Sequence, residues 1–182
     1  MKDHNLYTMI KKHKSLVRFC KILGHWIGIY WPDDYIRVGR KASDPSIHGL
    51  KKVYYKLMHR RLTCKMHIEI PNFSNIGERF NLAHPSAIVI HEDAKIGKNC
   101  LIFKGVSIGV IRGGKREGVP VIEDRVVVCA NAVVFGGVTI GHDTLIAADT
   151  FVDFDVPPHS LVIGNPGVIH AKEFASKAYL PD

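Results

Sequence analysis

The stretch IHEDAKIGKNCLIFKGVSIG, residues 90–109, decides the fold because an isoleucine returns in it every six residues. A second block, IEDRVVVCANAVVFGGVTIGHDTLIAADTFV at residues 122–152, keeps the same interval. A period of six matches neither an amphipathic helix nor the two-residue alternation of a half-buried strand. It predicts a triangular solenoid, in which each hexapeptide supplies one short strand and one corner and its aliphatic residue points into the prism. The in-phase positions are Ile90, Ile96, Ile102, Ile108, Ile122, Val128, Val134, Ile140, Ile146 and Val152.

The six-residue phase breaks at two places. Between Leu82 and Ile90 the step is eight residues, and this break contains His84. Between Ile108 and Ile122 the step is 14 residues, and the added residues form a Gly- and Lys-rich loop at 110–120. A regular prism has no pocket, and long excursions from a regular scaffold are where function tends to be found. We therefore look for a site at these two breaks.

Composition indicates one compact core with an appended arm. The chain has 182 residues, of which 46% are hydrophobic and 23% charged. Its four cysteines show no C-x-x-C spacing, which favours reduced thiols over a disulfide framework or a zinc ribbon. The N-terminal residues lack the features of a secretory signal, and no run of 18 apolar residues occurs. These features predict a cytoplasmic protein.

The N-terminal third is basic and helical in pattern. Residues 1–66 carry a net charge of +11, against −3 for residues 67–182. Apolar residues at helical spacing predict one amphipathic helix over residues 15–31 and a second over residues 47–61, packed on each other. The second helix is predicted to face inward through Ile47, Leu50, Val53, Tyr54, Leu57 and Met58.

The basic charge of this arm leaves several partners open. It is compatible with an anionic membrane surface, an acidic substrate or nothing more than a solvated surface. A peripheral membrane contact at the inner face of the membrane is therefore retained as an alternative. Nucleic acid is not expected as a partner, because no recognised nucleic-acid-binding motif accompanies the charge.

Four segments carry a family resemblance: HIEIPNFSNIG, LAHPSAIVI, GVSIG and VPPHSLVIGNPGVI. They resemble the serine acetyltransferase branch of the hexapeptide-repeat acyltransferases, especially relatives encoded with capsule and exopolysaccharide genes. The resemblance implies a mainly β protein, a left-handed parallel β-helix with a helical N-terminal arm and a short C-terminal tail. It also implies a homotrimer with acetyl-CoA between neighbouring chains. We divide the chain into a basic arm (1–66), a β-helix domain (67–168) with loop 110–120, and a tail (169–182).

The resemblance implies a catalytic pair. His84 occupies the position of the family's general base, which removes the proton from the acceptor hydroxyl. Glu69 occupies the position of a carboxylate, usually Asp, that orients the base. Such a base is needed because a hydroxyl is a weak nucleophile toward a thioester. The plain alternatives are a corner histidine at the surface and an ordinary surface charge.

The resemblance also implies a cofactor site on the coils. The backbone N–H of Gly109 or Val110 is the candidate donor to the oxyanion. Pantetheine is expected along the later coils near Ala130 and Ala148, although solenoid corners need small residues in any case. The loop side chains Arg112, Lys115 and Arg116 either neutralise an acidic ligand or are simply solvated.

The acceptor is predicted from the positions at which this chain departs from the serine acetyltransferase pattern. Where serine acetyltransferases have Asp before the histidine and an Arg-His pair in the loop, this chain has Ala83, Gly118 and Val119. Because serine needs partners for both of its charges, these losses favour a sugar or polysaccharide hydroxyl, with serine as the alternative.

A zinc-dependent hydratase is disfavoured, since His84, His91 and His142 lack the paired spacing of a metal site. No metal is expected.

Overall fold

The computed structural model describes residues 32–180. The predicted helix at residues 15–31 lies outside the described residues, as do the first 31 of the 66 residues of the basic arm, to which the membrane contact was assigned. Within residues 32–180, neither helix combines the length and the hydrophobicity that crossing a membrane requires.

Within residues 32–180, two helices precede the strands. Helix α1 (Pro32–Ser43) is not predicted by the periodicity, although its sequence suits a helix start. Proline at the first helical position has no N–H to leave unpaired, and acidic residues in the first turn with basic residues in the last turn complement the helix dipole. Helix α2 (Gly49–Met66) begins two residues later and ends five residues later than predicted.

Four of the six residues predicted to face inward on α2 are exposed, so this prediction is wrong for Leu50, Val53, Tyr54 and Leu57. The buried side chain of the helix is Leu62. The helix instead turns His59 toward Tyr35 of α1, with ring centroids 5.0 Å apart. Tyr35 is fully buried, and its hydroxyl donates to Ile68 O (3.0 Å) and accepts from Ile70 N (3.1 Å). The exposed residues are Leu50 (90%), Val53 (52%), Tyr54 (55%) and Leu57 (63%).

The strands form three sheets, one on each face of a prism. Sheet A contains β1 (Ile68–Glu69), β3 (Ile88–Ile90), β6 (Ser107–Gly109), β9 (Val133–Phe135) and β12 (Phe151–Val152). Sheet B contains β4 (Lys95–Ile96), β7 (Val121–Ile122) and β10 (Thr139–Ile140). Sheet C contains β2 (Asn81–Ala83), β5 (Leu101–Phe103), β8 (Val127–Val128), β11 (Leu145–Ile146), β13 (Ser160–Ile163) and β14 (Val168–Ala171).

The chain visits the three sheets in turn and pairs each strand with the strand one coil later. Every such pair is parallel, and among the strands of residues 32–180 only β13 with β14 is antiparallel. The fold is the predicted left-handed parallel β-helix, an exception to the right-handed crossover preference of parallel strands. Stacking satisfies the backbone groups of each short strand, which no hexapeptide could do alone.

The core confirms the six-residue phase. All ten in-phase positions are at most 3% exposed. Burying an aliphatic side chain of this size contributes roughly 1.5–3 kcal/mol. The stacked column of Ile and Val side chains therefore dominates the stability of the coils.

The residues after β13 fold back onto sheet C. Leu180 is buried against Val127 and Cys129. Ser176 donates its Oγ–H to Asp143 Oδ1 (2.6 Å), and His159 Nδ1 donates to Asp143 Oδ2 (2.8 Å). We call residues 173–180 the tail strap. It is fixed to the outside of the β-helix by this buried carboxylate.

Candidate active site

His84 lies at the corner between sheets C and A. It directly follows β2, is exposed and has φ of 49°, in the left-handed region. The same backbone conformation recurs at other corners, for example at Asn99, Asn131 and Asp149, because it turns the chain sharply between faces. The eight-residue step enlarges this corner and carries His84 out of the prism.

Glu69 lies on sheet A, 15 residues before His84. It is exposed on β1 and pairs with Val89 of β3, the strand into which the His84 corner leads. No hydrogen bond or ion pair joins Glu69 to His84, both of which are described by the structure. The pairing of Glu69 with His84 as a catalytic dyad therefore stays a prediction.

Strand register places His84 in a column of residues from successive coils. Ala83 pairs with Phe103, Ile102 with Val128, and Val128 with Ile146. Each column residue comes two positions after a buried aliphatic residue. Asn131 N–H donates to Lys104 O and Asp149 N–H to Ala130 O, so Lys104, Ala130 and Ala148 follow one another by one coil, about 4.8 Å. At the enlarged His84 corner the register shifts, because Gly105 N–H donates to Ser86 O, and His84 begins the edge from the turn. The column consists of His84, Lys104, Ala130 and Ala148, and we call it the C–A column.

Three of the predicted residues therefore share one edge of the prism. Ala130 is half-buried and Ala148 is exposed, and Ala130 O accepts from Asp149 N (3.0 Å). Their small side chains leave the edge above His84 open, so an extended ligand has room to lie along it. Lys104 was missed by the sequence analysis, although its phase after Ile102 is the same as that of His84 after Leu82.

Gly109 and Val110 lie at a different corner, between sheets A and B. Gly109 pairs with Phe135, and a Cβ on Gly109 would come within 2.7 Å of the Phe135 ring, which is a structural reason for glycine here. The N–H of Val110 donates to no backbone carbonyl within residues 32–180. Within one chain, the structure does not bring these two residues to the C–A column.

The loop 110–120 is a hairpin anchored at its base. Ile111 and Gly118 exchange two backbone hydrogen bonds (3.1 and 3.0 Å), and Gly113 and Gly114 turn the tip with φ near 89°. Arg116 Nη1 donates to Asp155 Oδ2 at 3.1 Å. The Thr139 N–H and the Arg116 guanidinium hold the pKa of Asp155 below its ordinary value. Arg116 is thus engaged with the coils, whereas Arg112 and Lys115 are exposed.

The tail strap runs beside the C–A column on sheet C. Tyr179 packs edge-on against Phe103, with ring centroids 5.6 Å apart. Phe103 immediately precedes Lys104, and Cys129, which the strap also covers, immediately precedes Ala130.

Within residues 32–180, no group of three or more His, Cys, Asp or Glu side chains is arranged to hold a metal ion.

Comparison with known proteins relates this chain to serine acetyltransferases. No family model matches. Serine acetyltransferase from Bacillus licheniformis is 39% identical over 100 residues, which are 55% of this chain and 46% of that protein. The chain thus spans about half the length of this curated relative. Soybean serine acetyltransferase complexed with serine is 28% identical, covers 66% of this chain and 50% of its own, and has a TM-score of 0.57.

A third protein, a serine acetyltransferase in complex with CoA, has a TM-score of 0.56 at 24% identity over 66% of this chain and 49% of its own. This likeness concerns the fold. The first two similarities support the resemblance to the serine acetyltransferase family of hexapeptide-repeat acyltransferases. None of the three is named as a capsule or exopolysaccharide enzyme. The predicted sugar or polysaccharide acceptor is therefore wrong, and the names of the relatives favour the alternative, serine.

Proposed function

We propose that this chain is an acetyl-CoA-dependent serine O-acetyltransferase. The observation that carries the proposal is the 39% identity to a serine acetyltransferase over 100 residues, joined to a matching fold. The open edge formed by the C–A column, with an exposed histidine at its start, supplies the place for the chemistry.

His84 acts as the general base in this proposal. Its imidazole takes the hydroxyl proton as the serine oxygen bonds to the acetyl carbon, and it returns that proton to sulfur as the carbon–sulfur bond breaks. The products are O-acetylserine and CoA. An exposed imidazole at an enlarged corner is suited to both transfers, since it can approach acceptor and thioester together. Glu69 orients the imidazole and stabilises its charged form.

Acetyl-CoA lies along the C–A column with its thioester at His84 and its pantetheine arm passing Ala130 and Ala148. A single prism edge encloses no ligand, so a second wall is required. We propose that a neighbouring chain of a homotrimer supplies it, and that the neighbour's Gly109–Val110 corner brings the oxyanion donor. The unpaired N–H of Val110 supports this role better than Gly109, which is part of the sheet A ladder. The proposed location is cytoplasmic.

The test is acetyl transfer by the purified full-length protein. Thiol release from acetyl-CoA is followed with and without L-serine, and the product is identified by mass spectrometry. We expect O-acetylserine and a kcat/KM for serine of at least about 10⁴ M⁻¹s⁻¹. Thiol release that serine does not increase would show that the proposal is wrong. Sedimentation velocity of the same sample tests the trimer.

A further inference from the structure

Serine as acceptor leaves a charge without a partner in this chain. Serine carries a carboxylate and an ammonium group, and leaving either one unpaired in a closed site costs several kcal/mol. The positions at which the resemblance would supply charged partners hold Ala83, Gly118 and Val119, none of which carries a charge. A cation from elsewhere must therefore meet the carboxylate.

Lys104 is the cation placed nearest to His84 by strand register. It directly follows Phe103, the strand partner of Ala83, and Ala83 directly precedes His84. The side chain is exposed and makes no hydrogen bond or ion pair with any residue of the described part of the chain. Arg116, the cation at the loop base, is by contrast engaged by Asp155.

We infer that Lys104 binds the carboxylate of the acceptor and so selects hydroxy acids of the serine type. In serine, only two carbon atoms separate the carboxylate carbon from the hydroxyl oxygen. A flexible lysine side chain is longer than one coil spacing of about 4.8 Å, so its ammonium reaches the carboxylate while the hydroxyl lies on His84. This inference rests on the proposed function.

The phosphates of CoA are the competing anion, and the length of the cofactor argues against them. The extended pantetheine arm separates the thioester from the pyrophosphate by much more than one coil. With the thioester at His84, the phosphates lie beyond Ala130, whereas Lys104 is beside the reacting end. The charge of Lys104 should therefore affect the acceptor and not the affinity for acetyl-CoA.

The experiment compares L-serine with L-serinamide, which lacks the carboxylate charge, in the full-length protein and in Lys104→Met. Wild type should prefer serine by roughly 10- to 100-fold in kcat/KM, the usual value of a charge-assisted hydrogen bond. Lys104→Met should lose most of this preference through a higher KM for serine, with the KM for acetyl-CoA unchanged. Lys104→Arg should restore much of the preference.

Lys98→Met is the matched control. Lys98 is an exposed lysine of the same coil, at the corner between sheets B and C, and its replacement should leave the preference for serine intact. The outcomes separate the two proposals. If wild type does not acetylate serine, the proposed function is wrong and this inference with it. If wild type acetylates serine but Lys104→Met keeps the preference over serinamide, only the inference about Lys104 is overturned.

Discussion

The β-helix buries its apolar residues within its own coils, whereas helix α2 leaves several of its apolar residues exposed. In the β-helix, all ten aliphatic positions that share the six-residue phase are buried. In α2, four of the six residues predicted to face inward are more than half exposed. An aliphatic residue of a coil is covered by the coils before and after it, which obey the same period. A helix face is covered only by a partner elsewhere, which its own periodicity does not specify.

A second difference lies within the β-helix, between its faces and its corners. The faces carry the buried Ile and Val residues and hold the coils together. The C–A corner carries His84 and Lys104, which contribute little to the core because both are exposed. Substitutions at the corner should therefore change activity, and substitutions on the inner faces should change stability.

The largest expected effect is at the corner. His84→Ala removes the proton acceptor and leaves Leu82 and Ile90 in the core, so serine-dependent turnover should fall by roughly 10² to 10⁴. His142→Ala is the matched control, because His142 is an exposed histidine at the corner between sheets B and C, away from both the C–A column and the Gly109–Val110 corner. Retention of more than about a third of wild-type turnover by His84→Ala would contradict its assignment as base. Steady-state kinetics with unchanged thermal unfolding give the measurement.

Glu69→Gln should lower turnover less than His84→Ala does, because it weakens the orientation of the base without removing it. In the double variant the two losses should not add if the residues act as a unit. Additive losses, measured by the same kinetics, would separate Glu69 from the base.

The next prediction compares the inner face of a coil with the outer face of α2. Ile146→Ala removes a fully buried side chain from the β-helix and should lower the free energy of unfolding by about 2–5 kcal/mol. Leu57→Ala removes an equally large side chain that is 63% exposed and should change it by no more than about 0.5 kcal/mol. Urea unfolding of both variants measures the difference. Equal losses would mean that the exposed face of α2 is covered in solution.

The smallest of these effects depends on pH and concerns the tail strap. Burial alone raises the pKa of Asp143, but hydrogen bonds from Ser176 and His159 outweigh burial and leave the pKa below its usual value of 3.8. A lowered folded-state pKa stabilises the protein above pH 3.8, and this stability is lost as pH falls through the folded-state value. Asp143→Asn should thus lower stability by about 1.5–3 kcal/mol at pH 7.

The same loss should shrink as the pH of the measurement falls below 3.8 toward the lowered folded-state pKa of Asp143, because the advantage of the charged carboxylate in the folded protein is lost over that range. Asp153→Asn serves as the control, since the Asp153 side chain makes no hydrogen bond or ion pair with residues 32–180. Thermal unfolding at several pH values gives the comparison. A difference between wild type and Asp143→Asn that does not depend on pH would rule out the charge as the source of stability.

The sequence predicts the coils and the corner position of His84 because both follow from one period and its breaks. It also contains the signal for Lys104, two residues after Ile102, but the position acquires meaning only when register places it beside His84. The tail strap was beyond sequence reasoning, since the contact of Ser176 with Asp143 joins residues 33 positions apart with no shared pattern. The predicted sugar acceptor is wrong because uncharged residues at Ala83, Gly118 and Val119 do not by themselves exclude serine, which the names of the relatives favour.

The most direct test of the central claim is a crystal structure of the full-length protein with CoA bound. In that structure the CoA sulfur should lie beside the imidazole of His84, and the pantetheine arm should run along the C–A column past Ala130 toward Ala148. A CoA molecule whose sulfur lies away from every His84 of the assembly would contradict this claim.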